Sequence, residues 1–337
     1  DGTTIVFQSK MPLSGATNGT ANPSFNIFTV AAAGGTPTAL TQNTLASLDS
    51  VTPVYSPDQL LIVFASKTDV GGLWDTAGTN SYNIWQMNAD GTGLLSLTQN
   101  TALYLDSATP QVSPDNLTVV FSTKSSTGGA MNTVDTFSSN IATVPVGAGA
   151  LTFWTQNTNP YLDSIEPQFF PDATGSQIGY ASLRSTGGAN NTLDTYSYNI
   201  WLTNTVGPVH TAMTTNTLVG LDSFGPSFSA DQLTIAFHSK ADVTGIADGT
   251  ASNSSNIMTV PVATGPLTVL TNNTSSLMDS SYPVFDPTST TLLFFSRMDL
   301  SGTANAGTAG STNLWSTPAA AASLTSLTDD TQSCINL

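Results

Sequence analysis

Charged side chains are scarce in this sequence. Asp, Glu, Lys and Arg together make up 8% of its 337 residues, against about a quarter in ordinary soluble domains. Six residues are basic and 22 are acidic, which gives a formal net charge of −16. Nucleic acids and anionic lipid surfaces are bound through clusters of Lys and Arg. We therefore expect neither as a partner.

Cysteine and long apolar runs are also nearly absent. The single cysteine, Cys334, excludes an intramolecular disulfide, and no Cys or His spacing is typical of a zinc site. No apolar run approaches the ~18 residues that cross a membrane as a helix, so we expect no membrane insertion. Asn, Thr, Ser and Gly take the place of charge, a composition typical of extracellular proteins. We predict an extracellular or cell-surface location, with the periplasm as an alternative.

Internal repetition is what the sequence has in abundance. A Pro-Asp turn recurs, and its centre lies at Asp58, Asp115, Asp172, Asp231 and Thr288, in steps of 57, 57, 59 and 57 residues. Each unit also contains four segments with the composition of β-strands. We predict six repeats at approximately 1-57, 58-114, 115-171, 172-230, 231-287 and 288-337.

Four antiparallel strands repeated six times predict an all-β fold, a six-bladed β-propeller that forms one domain over residues 1-337. A single sheet cannot bury both of its faces, but adjacent sheets packed face to face can. A proline recurs in the first strand of the units, which suits an edge strand because proline has no N–H to donate. These prolines are Pro53, Pro110, Pro167, Pro226 and Pro283.

Closure of the ring is predicted near the N- and C-termini. The sequence begins at the second strand of a unit, so the opening blade takes its first strand from elsewhere. Residues 333–337 are the candidate for that strand. Without it the opening blade has three strands and an edge with which a neighbouring molecule could pair.

The repeat resembles the TolB-type, WD40-like propeller unit. The second repeat carries the pattern best, as an Asn-Ile-Trp triplet, an Asp-Gly turn, a Leu-Thr pair and a final Ser-Pro-Asp. The residues are Asn83, Ile84, Trp85, Asp90, Gly91, Leu97, Thr98, Asp106, Pro110, Ser113, Pro114 and Asp115. The resemblance covers the whole chain and implies the fold, whereas such propellers serve as binding platforms, assembly partners and peptidase accessory domains. Within these 337 residues we expect neither the separate α/β domain of TolB nor the α/β-hydrolase domain of the peptidases.

All six basic residues are predicted to occupy one repeat position, just after the second strand: Lys10, Lys67, Lys124, Arg184, Lys240 and Arg297. A recurrent aspartate precedes the first strand, at Asp49, Asp106, Asp163, Asp222 and Asp279. Counting outward from the turn places an aspartate opposite a base in most units, and opposed residues on paired strands lie ~5 Å apart. We predict structural ion pairs, with a cationic ring that binds an anion as the alternative.

Six long loops between the second and third strands form the other repeated feature. Trp74 stands alone in one of them and is a candidate for contact with a sugar or a protein partner. Asp69 with Asp75, and Asp242 with Asp248, could supply oxygen ligands to calcium, although neither pair has the EF-hand spacing. The alternative is that these residues only shape the loop backbone.

A binding or scaffold role is favoured over catalysis. The chain has one Glu, two His and two Arg, whereas general acid–base chemistry needs titratable groups gathered in one pocket. We predict no enzymatic activity and no required cofactor, calcium excepted, and recognition of a protein or carbohydrate. A self-assembling surface-layer or filament subunit, and a hydrolase or lyase acting at the channel mouth, are the alternatives.

Overall fold

The computed structural model describes residues 2–13, 22–68, 81–125, 138–159, 162–184, 197–207, 209–216, 218–241, 254–273, 279–298, 312–319 and 323–328. Throughout these residues the regular secondary structure is β, in 23 strands, and no membrane-spanning helix occurs in them. The chain divides into two compact units, Asp1–Phe169 and Phe170–Leu337. The single-domain organisation stays a prediction.

The first unit contains three sheets and the opening strand of a fourth. The first sheet comprises β1 (Thr4–Ser9), β2 (Asn26–Ala31) and β3 (Thr38–Ala39). The second comprises β4 (Ser50–Tyr55), β5 (Leu61–Ser66), β6 (Asn83–Asn88) and β7 (Leu95–Ser96). The third comprises β8 (Ser107–Val112), β9 (Thr118–Thr123), β10 (Asn140–Pro145) and β11 (Thr152–Phe153).

The fourth sheet begins with β12 (Ser164–Phe169) and continues in the second unit with β13 (Gln177–Ser182), β14 (Asn199–Asn204) and β15 (His210–Ala212). The fifth sheet comprises β16 (Ser223–Phe228), β17 (Thr234–Ser239), β18 (Asn256–Pro261) and β19 (Thr268–Val269). The sixth comprises β20 (Ser280–Phe285), β21 (Thr291–Ser296), β22 (Asn313–Pro318) and β23 (Thr325–Ser326).

Each sheet is an antiparallel meander whose strands lie in sequence order. Such sheets in succession are the blades of a β-propeller, which confirms the predicted fold class. Five blades have four strands, and the described residues give the first blade three. The segment predicted to complete that blade, residues 333–337, lies outside the described residues.

The second and third strands of the second to fifth blades are largely buried, whereas β1 in the first blade is half-buried to exposed along its length. In the first unit Ile27, Ile62, Phe64, Trp85 and Met87 form a core between the first two sheets. A second core joins β5 and β6 to β9 and β10. In the second unit a core of the same kind joins the fifth and sixth sheets.

The recurrent proline lies at a β-bulge in the first strand, which is an edge strand of its sheet. The first strand is an edge strand in each of the five four-stranded sheets, as predicted. The residue before the proline has a positive φ, and the pairing with the second strand shifts there in four of the sheets. These residues are Thr52 (φ 52°), Thr109 (52°), Glu166 (54°), Gly225 (62°) and Tyr282 (52°). The bulge releases a backbone N–H from the ladder.

Candidate binding edge

Each sheet has one edge from which its long loop departs, at the end of the second strand and the start of the third. We call this the loop-bearing edge of the sheet. The loops themselves lie outside the described residues, and with them Trp74 and the aspartates predicted for calcium, Asp69, Asp75, Asp242 and Asp248. These assignments stay predictions. No group of three or more potential metal ligands occurs in the part of the chain that is described.

The recurrent aspartates connect consecutive sheets. In each case Oδ1 accepts a hydrogen bond from the backbone N–H that precedes the third strand of the sheet before it. The donor–acceptor pairs are Phe25–Asp49 (2.8 Å), Tyr82–Asp106 (2.8 Å), Ser139–Asp163 (2.6 Å), Tyr198–Asp222 (3.0 Å) and Ser255–Asp279 (2.8 Å). Each carboxylate therefore fixes the start of a loop-bearing strand.

The predicted register between aspartates and bases is present in the backbone. Lys67 N donates to Asp49 O at 3.2 Å, and Lys124, Lys240 and Arg297 donate in the same way to Asp106, Asp222 and Asp279. Ion pairing of the side chains, and the alternative anion-binding ring, stay predictions. Two of the lysines show an aromatic contact, with Nζ 4.8 Å from the ring centroid of Phe25 for Lys10 and 4.6 Å from that of Tyr82 for Lys67.

The prediction that Arg184 shares the position of the lysines is wrong. Its N–H donates to Ser182 Oγ (3.2 Å), the bond that Thr68, one residue after Lys67, makes to Ser66 Oγ (3.1 Å). The turn before the fourth blade is longer, because β13 begins five residues after Asp172 whereas β5 begins three after Asp58. Leu183 therefore holds the lysine position, and Arg184 points into the blade.

Arg184 lies in a buried polar network in the fourth blade. Its Nη1 donates to Tyr180 Oη (3.3 Å), its Cζ lies 5.1 Å from the ring centroid of Trp201, and Tyr180 Oη lies 2.8 Å from His210 Nδ1. Burial raises the pKa of Tyr180 to about 12. Burial first, and the Arg184 charge second, lower the pKa of His210 to about 4. The histidine is therefore neutral near pH 7, and its Nδ1 can accept a hydrogen bond from the Tyr180 hydroxyl.

The repeated asparagines and hydroxyl residues form closed hydrogen-bond circuits in the first unit. Asn43 Nδ2 donates to Ser50 Oγ (3.1 Å), which bonds Ser66 Oγ (2.9 Å), which bonds Thr68 Oγ1 (2.9 Å). Thr68 Oγ1 then donates back to Asn43 Oδ1 (3.1 Å). All four side chains are buried. The circuit ties the base of the long loop to the first strand of the same sheet.

The third sheet repeats this circuit. Asn100 Nδ2 donates to Ser107 Oγ (3.3 Å), Ser107 to Thr123 (2.8 Å), Thr123 to Ser125 (3.1 Å) and Ser125 to Asn100 Oδ1 (2.9 Å). The repeated asparagines therefore stabilise both sheets through buried hydrogen bonds.

The circuit is open in the fifth sheet. Asn216 Nδ2 donates to Ser223 Oγ (3.3 Å) and Ser223 to Ser239 Oγ (2.9 Å), but Ala241 replaces the final hydroxyl. Asn216 Oδ1 is buried and has no hydrogen-bond partner among the described residues. Arg184 and Met298 occupy the same position in the fourth and sixth sheets. The hydroxyl is therefore missing from the fourth, fifth and sixth blades, and in the first blade Met11 replaces it.

An aromatic row lies at the loop-bearing edge of the second unit. We use this name for Tyr198, Phe224, His238 and Tyr282. Consecutive ring centroids are 4.6, 5.9 and 5.3 Å apart. Phe224 and His238 face each other across β16 and β17, one pair away from the end of the ladder at Ser223 and Ser239. The row thus runs from the fourth blade across the fifth to the sixth.

Three members of the row depart from the repeat. At the position of Phe224 the other blades have Val51, Ala108, Ile165 and Ser281. At the position of His238 they have Gln8, Ala65, Ser122, Ala181 and Phe295. At the position of Tyr282 they have Thr52, Thr109, Glu166 and Gly225. The fold is made without aromatic rings at these positions in most blades, so packing of the repeat does not require them.

Tyr282 is held in an unusual position. Its φ is 52° and its side chain is 60% exposed, and a positive φ is an outlier for a bulky residue. The N–H released by the bulge donates to His238 Nδ1 (3.4 Å), as the Thr52 N–H does to Gln8 Oε1 (2.5 Å). Burial lowers the pKa of His238 to about 4, against the opposing effect of the Asp279 charge. Nδ1 is therefore an acceptor near pH 7.

Comparison with known proteins gives likeness in structure only. No family model and no curated protein matches the sequence. A structure assigned as TolB from Agrobacterium tumefaciens is 17% identical at a TM-score of 0.57, over 87% of this chain and 84% of that one. TolB from Acinetobacter baumannii is 16% identical at a TM-score of 0.57, over 94% of this chain, which spans 61% of its length. The fold is that of the TolB-like propellers.

Enzymes share this likeness. Oligogalacturonate lyase from Vibrio parahaemolyticus is 13% identical at a TM-score of 0.58, over 90% of this chain and 71% of that one. Because both binding proteins and enzymes use the architecture, the fold by itself does not assign the function.

Sequence reasoning missed the aromatic row and the network of Tyr180, Arg184 and His210. Aligning the repeats position by position would have found Phe224, His238 and Tyr282, since each replaces a residue of another type. Their convergence could not have been found in that way, because it depends on contacts between different blades.

Proposed function

We propose that the chain is a non-catalytic binding or scaffold propeller, extracellular or at the cell surface, that recognises a protein or glycan at the loop-bearing edge of its second unit. The aromatic row carries this proposal. It places rings where the repeat needs none and exposes the Tyr282 side chain. The bulge backbone itself is common to the repeat, because Thr52, Thr109 and Glu166 have the same positive φ. The departure at this position is therefore the aromatic side chain that the bulge displays.

Binding without catalysis is supported by the hydrogen bonds and the pKa values of the titratable groups. Both histidines have an Nδ1 hydrogen bond, and burial lowers the pKa of each to about 4. A general base works best with a pKa near the operating pH. The recurrent aspartates are likewise engaged with backbone amides. These groups are suited to holding the edge in place rather than to moving protons.

The proposal is tested by combining a binding measurement with product analysis. The purified chain is screened against oligosaccharides and peptides by thermal shift, since a ligand selective for the folded state raises the melting temperature. Each ligand that binds is then incubated with the chain and analysed by mass spectrometry. We expect the ligand to be recovered intact. Shortened or unsaturated products that disappear with a row variant would replace the binding function with a lyase or hydrolase function.

Self-assembly is a second candidate because of the first blade. Within the described residues β1 pairs with β2 alone, and Ile5 on this strand is 50% exposed. An exposed edge strand can pair with another chain. Light scattering across a concentration series separates the candidates, since polymers that dissolve on Ile5→Lys substitution favour assembly and a monomer throughout favours ligand binding.

A further inference from the structure

We infer that the aromatic row binds a neutral oligosaccharide, which stacks its sugar rings on Tyr282 and on the neighbouring rings Phe224 and Tyr198. The inference rests on the proposed function and names the ligand class of the same edge. Four observations support it: the rings, the local charge, the hydroxyl acceptors beside the row and the support of Tyr282.

The rings form a row of successive contacts with an exposed end at Tyr282, and His238 within the row is buried. Successive centroids lie 4.6 to 5.9 Å apart, Tyr198 and Phe224 are half-buried, and Tyr282 is exposed. Binding sites for small ligands combine such apolar walls with a few placed polar groups. The C–H faces of a sugar pack on aromatic rings in the same way, and a chain of sugars suits a row better than a single ring.

Among the described residues the charge beside the row is balanced. Asp222 lies opposite Lys240 and Asp279 opposite Arg297 in the backbone ladder, which sets two carboxylates against two cations. His238 within the row is neutral near pH 7, so the net charge of −16 is not concentrated here. A polyanionic sugar would meet repulsion from the molecule as a whole, and a cationic peptide would find no local excess of carboxylate. An uncharged ligand fits best.

Acceptors for sugar hydroxyls flank the row. Asp222 Oδ1 accepts Tyr198 N–H (3.0 Å) and Asp279 Oδ1 accepts Ser255 N–H (2.8 Å). A carboxylate can accept about four hydrogen bonds, so each retains capacity at its second oxygen. The backbone amides hold both carboxylates in fixed orientations, which reduces the entropy lost when a ligand binds.

His238 is a positioning residue for Tyr282. Its Nδ1 accepts the N–H that the bulge releases, and its ring lies 5.3 Å from the Tyr282 ring. This contact holds the bulge and the exposed ring together. In the first blade Gln8 does the first task for Thr52, without an aromatic ring at either position.

The test measures affinity by calorimetry for four neutral hexasaccharides, those of cellulose, xylan, mannan and chitin, alongside hexagalacturonate and hexalysine. At least one neutral hexasaccharide should bind the full chain. Tyr282→Gly, which copies Gly225, and Phe224→Ile, which copies Ile165, should each weaken that binding at least tenfold, equal to about 1.4 kcal/mol. Raising the salt concentration tenfold should change the affinity less than twofold, because no ion pair is formed.

Tyr104→Gly is the matched control, because Tyr104 is also an exposed tyrosine (65%) with a positive φ (70°) but lies in the first unit. It should leave the affinity unchanged. The inference is overturned if none of the four neutral hexasaccharides binds at about 10 mM, near the weak limit of a specific site, or if Tyr282→Gly and Tyr104→Gly behave alike. Salt-sensitive binding of hexalysine through Tyr282 would also overturn it while leaving the proposed binding function intact.

Discussion

The two units of this chain use the same repeat in different ways. In the first unit the second residue after the second strand is Met11, Thr68 or Ser125, and Thr68 and Ser125 each close a buried hydrogen-bond circuit. In the second unit the same position carries Arg184, Ala241 or Met298. The aromatic row and the Tyr180 network also belong to the second unit. The comparison teaches that the repeat tolerates substitution at the loop-bearing edge. The second unit has more of these substitutions than the first.

The largest expected effect is a pH dependence of the unfolding free energy that comes from a histidine of the second unit. The first unit contains no histidine. His238 has a pKa of about 4 in the folded chain and about 6.5 when unfolded. The unfolded state therefore binds more protons between these values, and stability falls as the pH drops from 6.5 through 4. His238→Gln copies Gln8 and keeps the acceptor without the titration. Relative to this variant, the wild type should lose about 3 kcal/mol between pH 7 and pH 4.

Urea unfolding of both proteins across this pH range measures the effect. The two stability curves should run parallel above pH 7 and separate below 6.5, with His210 contributing equally to both. Curves that stay parallel down to pH 4 would show that His238 is not buried in its neutral form.

A circuit of the first unit can be opened by Thr68→Val. The change keeps the side-chain shape and leaves Asn43 Oδ1 buried without its donor, which should cost about 2 kcal/mol of unfolding free energy. Chemical denaturation measures the loss. Thr52→Val, a change of the same chemistry at an exposed threonine, is the control and should cost much less.

The fold could be predicted from the sequence because the residues that shape the backbone recur at the same position of each repeat. The edge prolines and the aspartates that precede the first strands recur, and the structure shows the first at the bulges and the second bonded to backbone amides. Arg184 was misplaced because a two-residue longer turn shifts β13, and spacing alone did not locate the shift. The aromatic row was missed since Tyr198, Phe224 and Tyr282 lie in three different blades.

The Tyr180 network should show a measurable coupling. Tyr180→Phe copies the phenylalanine of the other blades, and His210→Leu copies Leu94. Each single change breaks the 2.8 Å hydrogen bond and should cost about 1.5 kcal/mol. Tyr180→Phe also removes the acceptor of Arg184 Nη1, but this loss is common to the single and the double variant and cancels in the cycle. A double-mutant cycle should give a coupling of about 1 kcal/mol. A coupling near zero would mean that the bond does not stabilise the blade.

The smallest expected effect is a gain. Ala241→Ser supplies the missing hydroxyl beside Asn216 Oδ1, which lacks a partner among the described residues, and should stabilise the chain by about 1 kcal/mol. The backbone already matches, because Ala241 N–H donates to Ser239 Oγ (3.0 Å) as Thr68 N–H does to Ser66 Oγ. A loss of stability would show that the cavity at Ala241 does not admit the hydroxyl.

The most direct test measures backbone amide hydrogen exchange with and without the tightest-binding neutral hexasaccharide. It shows whether the ligand binds where Phe224 and Tyr282 depart from the repeat. Slower exchange is expected in β16 (Ser223–Phe228) and β20 (Ser280–Phe285), with none in the corresponding strands β4 (Ser50–Tyr55) and β8 (Ser107–Val112). Protection spread equally over all four strands, or confined to β4 and β8, would contradict the account.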